Sequence, residues 1–176
     1  TWIKTINYED AQGSLKALYD KIKGPKDYID NIMLVHSLRP NTLKGHMSLY
    51  KNALHHPDNV LPKWFLEAIG VYVSLLNGCD YCVKHHSKGM ARQINDDKVT
   101  KHIIQALEAD APDMYFTGKE LAILDYVRIL TLEPHKINRK AVSLLQVTGI
   151  PDEEILEINQ VVAYFAYANR TVLGLG

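Results

Sequence analysis

Four residues carry the chemistry open to this sequence: Glu67, Cys79, Cys82 and His86. The only two cysteines stand three apart in Cys79-Asp80-Tyr81-Cys82, His86 follows four residues later, and Glu67 precedes Cys79 by twelve. On an α-helix the i, i+3 and i, i+4 spacings share a face, so Cys79, Cys82 and His86 form one stripe and the two sulfurs can meet. Thiolate is the reactive form of cysteine. A helix N-terminus, a neighbouring imidazole and a second thiol each lower the thiol pKa from about 8.5 toward neutrality. Cys82, one turn before His86, is the better-placed nucleophile. His86 can take its proton directly or through water, while Glu67 fixes the ring tautomer and stabilises the imidazolium. Attack on a peroxide O–O bond gives a sulfenic acid at Cys82, with which Cys79 condenses to a disulfide. A dithiol donor then restores both thiols. Such a cycle requires no metal and no organic cofactor.

Other readings of the same residues stay open. Cys79, Cys82 and His86 or His85 could supply three zinc ligands, with a fourth from the His55-His56 pair, although a second CxxC or HxxxH is missing and closed zinc sites usually sit on irregular knuckles. That reading makes the chain a zinc-stabilised helical oligomer or a redox-sensing interaction protein without enzymatic activity. Buried, inert thiols are the plainest alternative. His85 points about 100° away from His86 around a helix, which places it on the surface or at an interface. His46 and Tyr50, at i and i+4, could line a pocket or simply pack. No βαβ pattern surrounds the CxxC, so a thioredoxin fold is disfavoured.

Glu67 cannot reach the cysteine stripe along one continuous helix, because twelve residues at 1.5 Å rise separate the groups by about 18 Å. The Asn77-Gly78 break must turn the chain back, and Gly70 and Ser74 then offer a small-residue strip for close approach between the helices on either side. Helical spacing extends through most of the chain, with no sustained period-2 alternation, which predicts an all-α bundle with the CxxC at the start of a central helix. Leu15, Leu18, Tyr19 and Ile22 mark a first helix ending at Gly24-Pro25, and Ile29 to Leu38 a second. A third starts at Pro40 or Asn41 and runs into His55-His56-Pro57, and Pro62 opens a fourth through Leu76. A fifth spans about Cys79 to Ile94, and Asp96-Asp97 caps a sixth through Glu108. Thr117-Gly118-Lys119-Glu120 has the form of a capping box before a seventh. Asn138 to Val147 and a long final segment after Pro151 complete the set, the last with acidic residues in its first turn.

The chain has 176 residues, 20 Lys+Arg against 20 Asp+Glu, 47% hydrophobic and 23% charged residues. This suits one folded domain over residues 1–176, with a motif core at about 40–130, and is unlike a disordered chain. Zero formal net charge leaves no basic excess for phosphates, so nucleic acid is not an expected partner. The longest apolar runs fall short of the roughly 20 residues that a membrane span requires. No basic, apolar secretory leader opens the sequence, and two cysteines are too few for a disulfide-stapled secreted domain, so the cytoplasm is the expected compartment. The fourth and last helices are apolar nearly all round, which predicts burial against a second subunit and hence a homo-oligomer.

The run from Glu67 to His86 resembles the AhpD-like alkylhydroperoxidases of the carboxymuconolactone decarboxylase superfamily, whose signature is Glu, twelve residues, CxxC, four residues and His. The chain as a whole, including its C-terminal Asn169-Arg170-Thr-Val-Leu-Gly-Leu-Gly, resembles the peroxidase-related branch. The resemblance implies an all-helical fold, assembly into dimers, trimers or hexamers, and weak thiol peroxidase activity on hydrogen peroxide or small organic hydroperoxides. It makes Cys82 the peroxidatic cysteine, Cys79 its disulfide partner, and Glu67 and His86 members of a proton relay. AhpD enzymes carry His where this chain has Tyr81, and a tyrosine with a pKa of about 10 shuttles protons poorly at neutral pH. The decarboxylase branch lacks the CxxC, which argues against ring-opening decarboxylation.

Overall fold

Gly, Pro and Asn breakers divide the chain into nine α-helices, and the computed structural model, which describes residues 1–176, contains no β-strand. They are α1 (Gly13–Ile22), α2 (Asn31–Leu34), α3 (Pro40–Leu54), α4 (Lys63–Leu76), α5 (Asp80–Ile94), α6 (Asp97–Glu108), α7 (Gly118–Leu132), α8 (Arg139–Val147) and α9 (Asp152–Leu175). Three short 3-10 turns each begin with a proline, Pro25, Pro112 and Pro134, whose missing N–H is not needed there. No helix is long and apolar enough to cross a membrane.

Two helix starts, those of α6 and α8, carry side-chain caps. Asp96 accepts hydrogen bonds from the Lys98 and Val99 amides at 2.9 and 3.0 Å, and Asn138 caps α8 through the Lys140 amide at 2.9 Å. Each such cap contributes about 1 kcal/mol. Two expectations fail. The second helix is only Asn31–Leu34, because beyond it His36 and Ser37 donate to the carbonyls three residues back and Pro40 already begins α3. The Thr117 side chain makes no capping bond; Gly118 enters α7 at φ +55°, outside the regular first-turn geometry that a capping box uses.

Although no linker is visible in the sequence, the chain falls into two compact units, Thr1–Asn52 with Arg170–Gly176, and Ala53–Asn169. In the first unit Leu15 and Tyr19 of α1 pack with Ala11, Ile29 and Leu43. The buried Tyr19 hydroxyl donates to the Ile6 carbonyl at 2.9 Å, and Ser37 accepts from the Ile6 amide at 2.9 Å. His46 of α3 is buried with its ring 4.9 Å from that of His36. Burial, and then the neighbouring His36, push the His46 pKa down to about 4. Tyr50, one turn further along α3, is half-buried.

The second unit is organised around α4, in which every residue from Phe65 to Ser74 is buried. Its most extensive neighbour is α5, and α6 and α7 also pack against it. Each fully buried Leu, Ile, Val or Phe contributes about 1.5–3 kcal/mol, so α4 is the main hydrophobic anchor of the site. Its all-round apolarity is satisfied within the chain and therefore does not by itself call for a second subunit. Polar ties fix the surrounding elements. The buried Tyr72 hydroxyl donates to Asp110 at 2.6 Å, and Arg128 of α7 donates to both oxygens of the same carboxylate. Glu157 of α9 accepts from the Val60 and Leu61 amides at 2.9 and 3.1 Å, holding the segment that leads into α4.

Candidate active site

The turn between α4 and α5 sets the register of everything that follows. Gly78 adopts φ +68°, a left-handed conformation that glycine reaches without Cβ strain, and the Cys79 amide donates to the Ser74 carbonyl at 2.8 Å. α5 thereby returns along α4, which brings Glu67 opposite His86 and Gly89. Cys79 is the N-cap residue of α5 and Cys82 lies in its first turn. Both are buried, and both are free thiols.

The two sulfurs lie 2.8 Å apart. Closing them to a disulfide S–S distance of about 2.05 Å needs less than an ångström of movement. The Cys79 pKa is lowered to about 7, first by the hydrogen bond from the Cys82 thiol, with further help from the Cys82 backbone amide and Asn169, against burial and Asp80. Cys82 is pushed up, because its proton is held by Cys79, its sulfur is desolvated and a second negative charge beside the first is repelled. A negative charge on the pair would lie at the N-terminus of α5, whose dipole favours it.

Glu67 and His86 form the second half of the site. Glu67 Oε2 and His86 Nδ1 are 2.7 Å apart, and both side chains are only 9% exposed. With the carboxylate accepting from Nδ1–H, a neutral ring keeps its base at Nε2, the tautomer expected of a proton acceptor. Two glycines make this contact possible. A Cβ at Gly89 would lie 2.8 Å from Glu67 Oε1, so the carboxylate sits directly against the α5 backbone. A Cβ at Gly70 would lie 2.1 Å from Phe165 Cζ, so the missing side chain admits the Phe165 ring, which packs edge-to-face on His86 at a centroid distance of 4.6 Å. The proposed use of Gly70 and Ser74 as a seat for α5 is corrected here. Gly70 receives Phe165 of α9, and Ser74 accepts from Asn169 of α9 at 3.1 Å.

The remaining candidates are placed differently. Tyr81 is half-buried and stacks on the exposed His85 at a centroid distance of 6.4 Å, as the outward direction of His85 around the helix predicts. His46 and Tyr50 belong to the first unit. His55 interacts electrostatically with Glu67 and His86, and its pKa is lowered, chiefly by burial. No group of three or more His, Cys, Asp or Glu side chains is arranged to hold a metal ion, so His55 and His56 do not complete a zinc ligand set with the thiols. Phe165 and Asn169 went unread as site residues.

No protein-family model matches the chain, and a comparison with curated proteins gives no match. Solved structures do match. An AhpD-core, uncharacterized peroxidase-related protein from Ralstonia eutropha superposes with a TM-score of 0.82 at 19% identity, over 99% of this chain and 90% of that one. The chain has the AhpD-like fold. Others with this fold include a putative antioxidant defence protein AhpD from Agrobacterium tumefaciens, at TM-score 0.64 and 23% identity over 80% of this chain and 91% of that one. The debrominase Bmp8 has a TM-score of 0.76 at 20% identity, over 99% of this chain and 90% of its own. At these identities the AhpD-like fold is what the likeness establishes, and the chemistry must be argued from the residues.

Proposed function

We propose that the chain is a thiol-dependent peroxidase acting on hydrogen peroxide or small organic hydroperoxides through a dithiol/disulfide cycle. The observation that carries this reading is the close pair of free sulfurs, 2.8 Å apart at the start of α5, on the same helix as His86, whose Nδ1 meets the buried Glu67 of α4. Cys82 attacks the distal peroxide oxygen. As the S–O bond forms and the O–O bond breaks, His86 takes the Cys82 proton and passes it to the leaving oxygen, with Glu67 stabilising the transient imidazolium. The products are an alcohol, or water, and a sulfenic acid at Cys82. Cys79, already ionised, then displaces hydroxide from that sulfur, which forms the disulfide and, after protonation, water. An external dithiol reduces the disulfide by exchange, one of its thiolates attacking and the second releasing it from the mixed disulfide. Cys79 is suited to the second step by its low pKa and to a protected position by its complete burial. Assembly into a homo-oligomer belongs to the same reading, supported by the exposure of Leu144, Val147 and Leu156 on α8 and α9.

A second reading is favoured by the likeness to a debrominase over nearly the whole chain. The same dithiol could supply two electrons to a carbon–bromine bond. One thiolate would take the bromine as a sulfenyl bromide while the carbon gains a proton, and the other thiolate would expel bromide as the disulfide forms. Anaerobic single turnovers separate the two. One equivalent of hydrogen peroxide or cumene hydroperoxide is expected to remove both thiols and lower the mass by the two hydrogens of a disulfide. Retention of both thiols with peroxide intact overturns the peroxidase reading. Bromide release from a brominated pyrrole, coupled to thiol loss under those same conditions, establishes the second.

A further inference from the structure

Two contacts fix how α9 lies along α4. Phe165 meets α4 at Gly70, and Asn169 meets it at Ser74, whose Oγ accepts from Asn169 Nδ2 at 3.1 Å. Four residues, about one turn, separate the two contacts on each helix, so the helices run in the same direction there and keep one register. Further bonds tie the second contact down: the Ser74 hydroxyl donates to the Gly70 carbonyl at 2.7 Å, and Asn169 Oδ1 accepts from Asn77 Nδ2 at 3.0 Å. Phe165 is thereby delivered to a defined place, and it is completely buried. The tip of its ring abuts α4. The atoms nearest to where a Gly70 Cβ would stand are Cζ, Cε2 and Cε1, at 2.1, 2.3 and 2.8 Å. The same ring bears on the His86 imidazole of α5, with centroids 4.6 Å apart and planes at 79°. Glu67 holds that imidazole at one atom, Nδ1, at 2.7 Å. A ring held at one atom can still rock about its side-chain torsions, and rocking swings the opposite nitrogen, Nε2, most. A second contact against the ring removes this freedom, and aromatic pairs near a right angle supply a contact that depends on orientation.

We propose that Phe165 is a positioning residue for His86, holding the plane of the imidazole while Glu67 holds Nδ1, with Gly70 as the notch that admits its ring. In its bearing on catalysis the role rests on the peroxidase reading, which it deepens by adding a third element to the relay: a carboxylate from α4, an imidazole from α5 and an aromatic wall from α9. Nε2 then keeps its aim from one turnover to the next. Because Phe165 acts through the imidazole, its effect on peroxide chemistry must vanish when the imidazole is absent.

The test uses the full-length reduced protein and two readouts. The first needs no peroxide: NMR relaxation of the ring Cε1–H groups in protein labelled with carbon-13 histidine, the His86 signal being the one lost in His86→Ala. In the wild type this ring is expected to be as ordered as rigid backbone, with an order parameter of about 0.85, and in Phe165→Leu to fall below about 0.6. The second is the rate of peroxide consumption. Phe165→Leu is expected to lower it about tenfold, as misplacing a reacting group does, while iodoacetamide alkylation above pH 9 stays within about twofold of wild type. Placed in His86→Ala, the same substitution is expected to cost nothing further. A folded Phe165→Leu protein with wild-type order at His86 overturns the proposal. So does an equal loss of peroxide rate with and without His86, since a purely structural role would lower both. Should Phe165→Leu fail to fold, Phe165→Met, which fills the notch with a flexible chain and no flat face, is read by the same criteria. Loss of ring order in the variant, together with wild-type thiols inert to peroxide, would uphold the role of Phe165 and remove the peroxidase reading alone.

Discussion

Phe165 occupies the space that a side chain on Gly70 would fill, since a Cβ there would stand 2.1 Å from the ring, and the same ring packs against His86. A glycine in the middle of a buried helix thus sets the position of a catalytic candidate on the next helix through an aromatic ring on the last.

Gly70→Ala is therefore expected to destabilise the protein by about 1–3 kcal/mol, as overpacking does when the neighbour is a ring held in a core. Phe165→Leu in the same chain should recover part of the loss by vacating the contested volume. Urea denaturation measures both. A wild-type midpoint for Gly70→Ala alone would contradict the packing described.

The reduced dithiol should ionise near pH 7, below the usual thiol range, because Cys79 is stabilised by the Cys82 thiol. Protonation slows the nucleophile, so alkylation should fall about tenfold per unit below that midpoint and level off above it, whichever sulfur is alkylated. Cys82→Ala removes the principal donor, and the midpoint should move up toward about 8.5. A profile in the wild-type protein that keeps rising past pH 9 would contradict the shared proton.

His86→Ala should slow peroxide consumption by about 10²-fold or more, with Glu67→Gln reducing it less, since positioned acid–base groups commonly contribute 10²–10⁴-fold. Both thiols persist in each variant, and alkylation above pH 9 should stay near the wild-type rate. Stopped-flow peroxide kinetics at neutral pH supply the comparison. Equal rates in His86→Ala and wild type would remove the relay.

Tyr81→His should raise peroxide turnover if proton shuttling limits the cycle, because an imidazole titrates near neutrality and a phenol does not. Steady-state assay with excess dithiol decides this. Unchanged turnover in a folded variant would show that the stacked Tyr81–His85 pair lies outside the relay.

Much of this arrangement was legible in one dimension. The Cys79, Cys82 and His86 spacing needs only helical geometry, and the approach of Glu67 follows from the Asn77-Gly78 break. Phe165 and Asn169 were not legible, because they lie some eighty or more residues beyond the motif on a helix that reads as apolar nearly all round, and their rotation toward the site depends on how α9 meets Gly70 and Ser74. The apolarity of α4 was legible too, but its cause was misassigned: the chain itself buries Phe65 to Ser74. The Thr117 capping-box pattern likewise needed a regular first turn that Gly118 does not adopt.

The most direct test is to trap the first oxidised sulfur. Cys79→Ser, treated with one equivalent of peroxide and a dimedone-type probe, should carry the adduct on Cys82 by peptide mass spectrometry, while Cys82→Ser should neither consume peroxide at the catalysed rate nor take the label. An adduct on Cys79 in Cys82→Ser, with Cys79→Ser inert, would contradict the assignment and give the first step to the more acidic, fully buried sulfur.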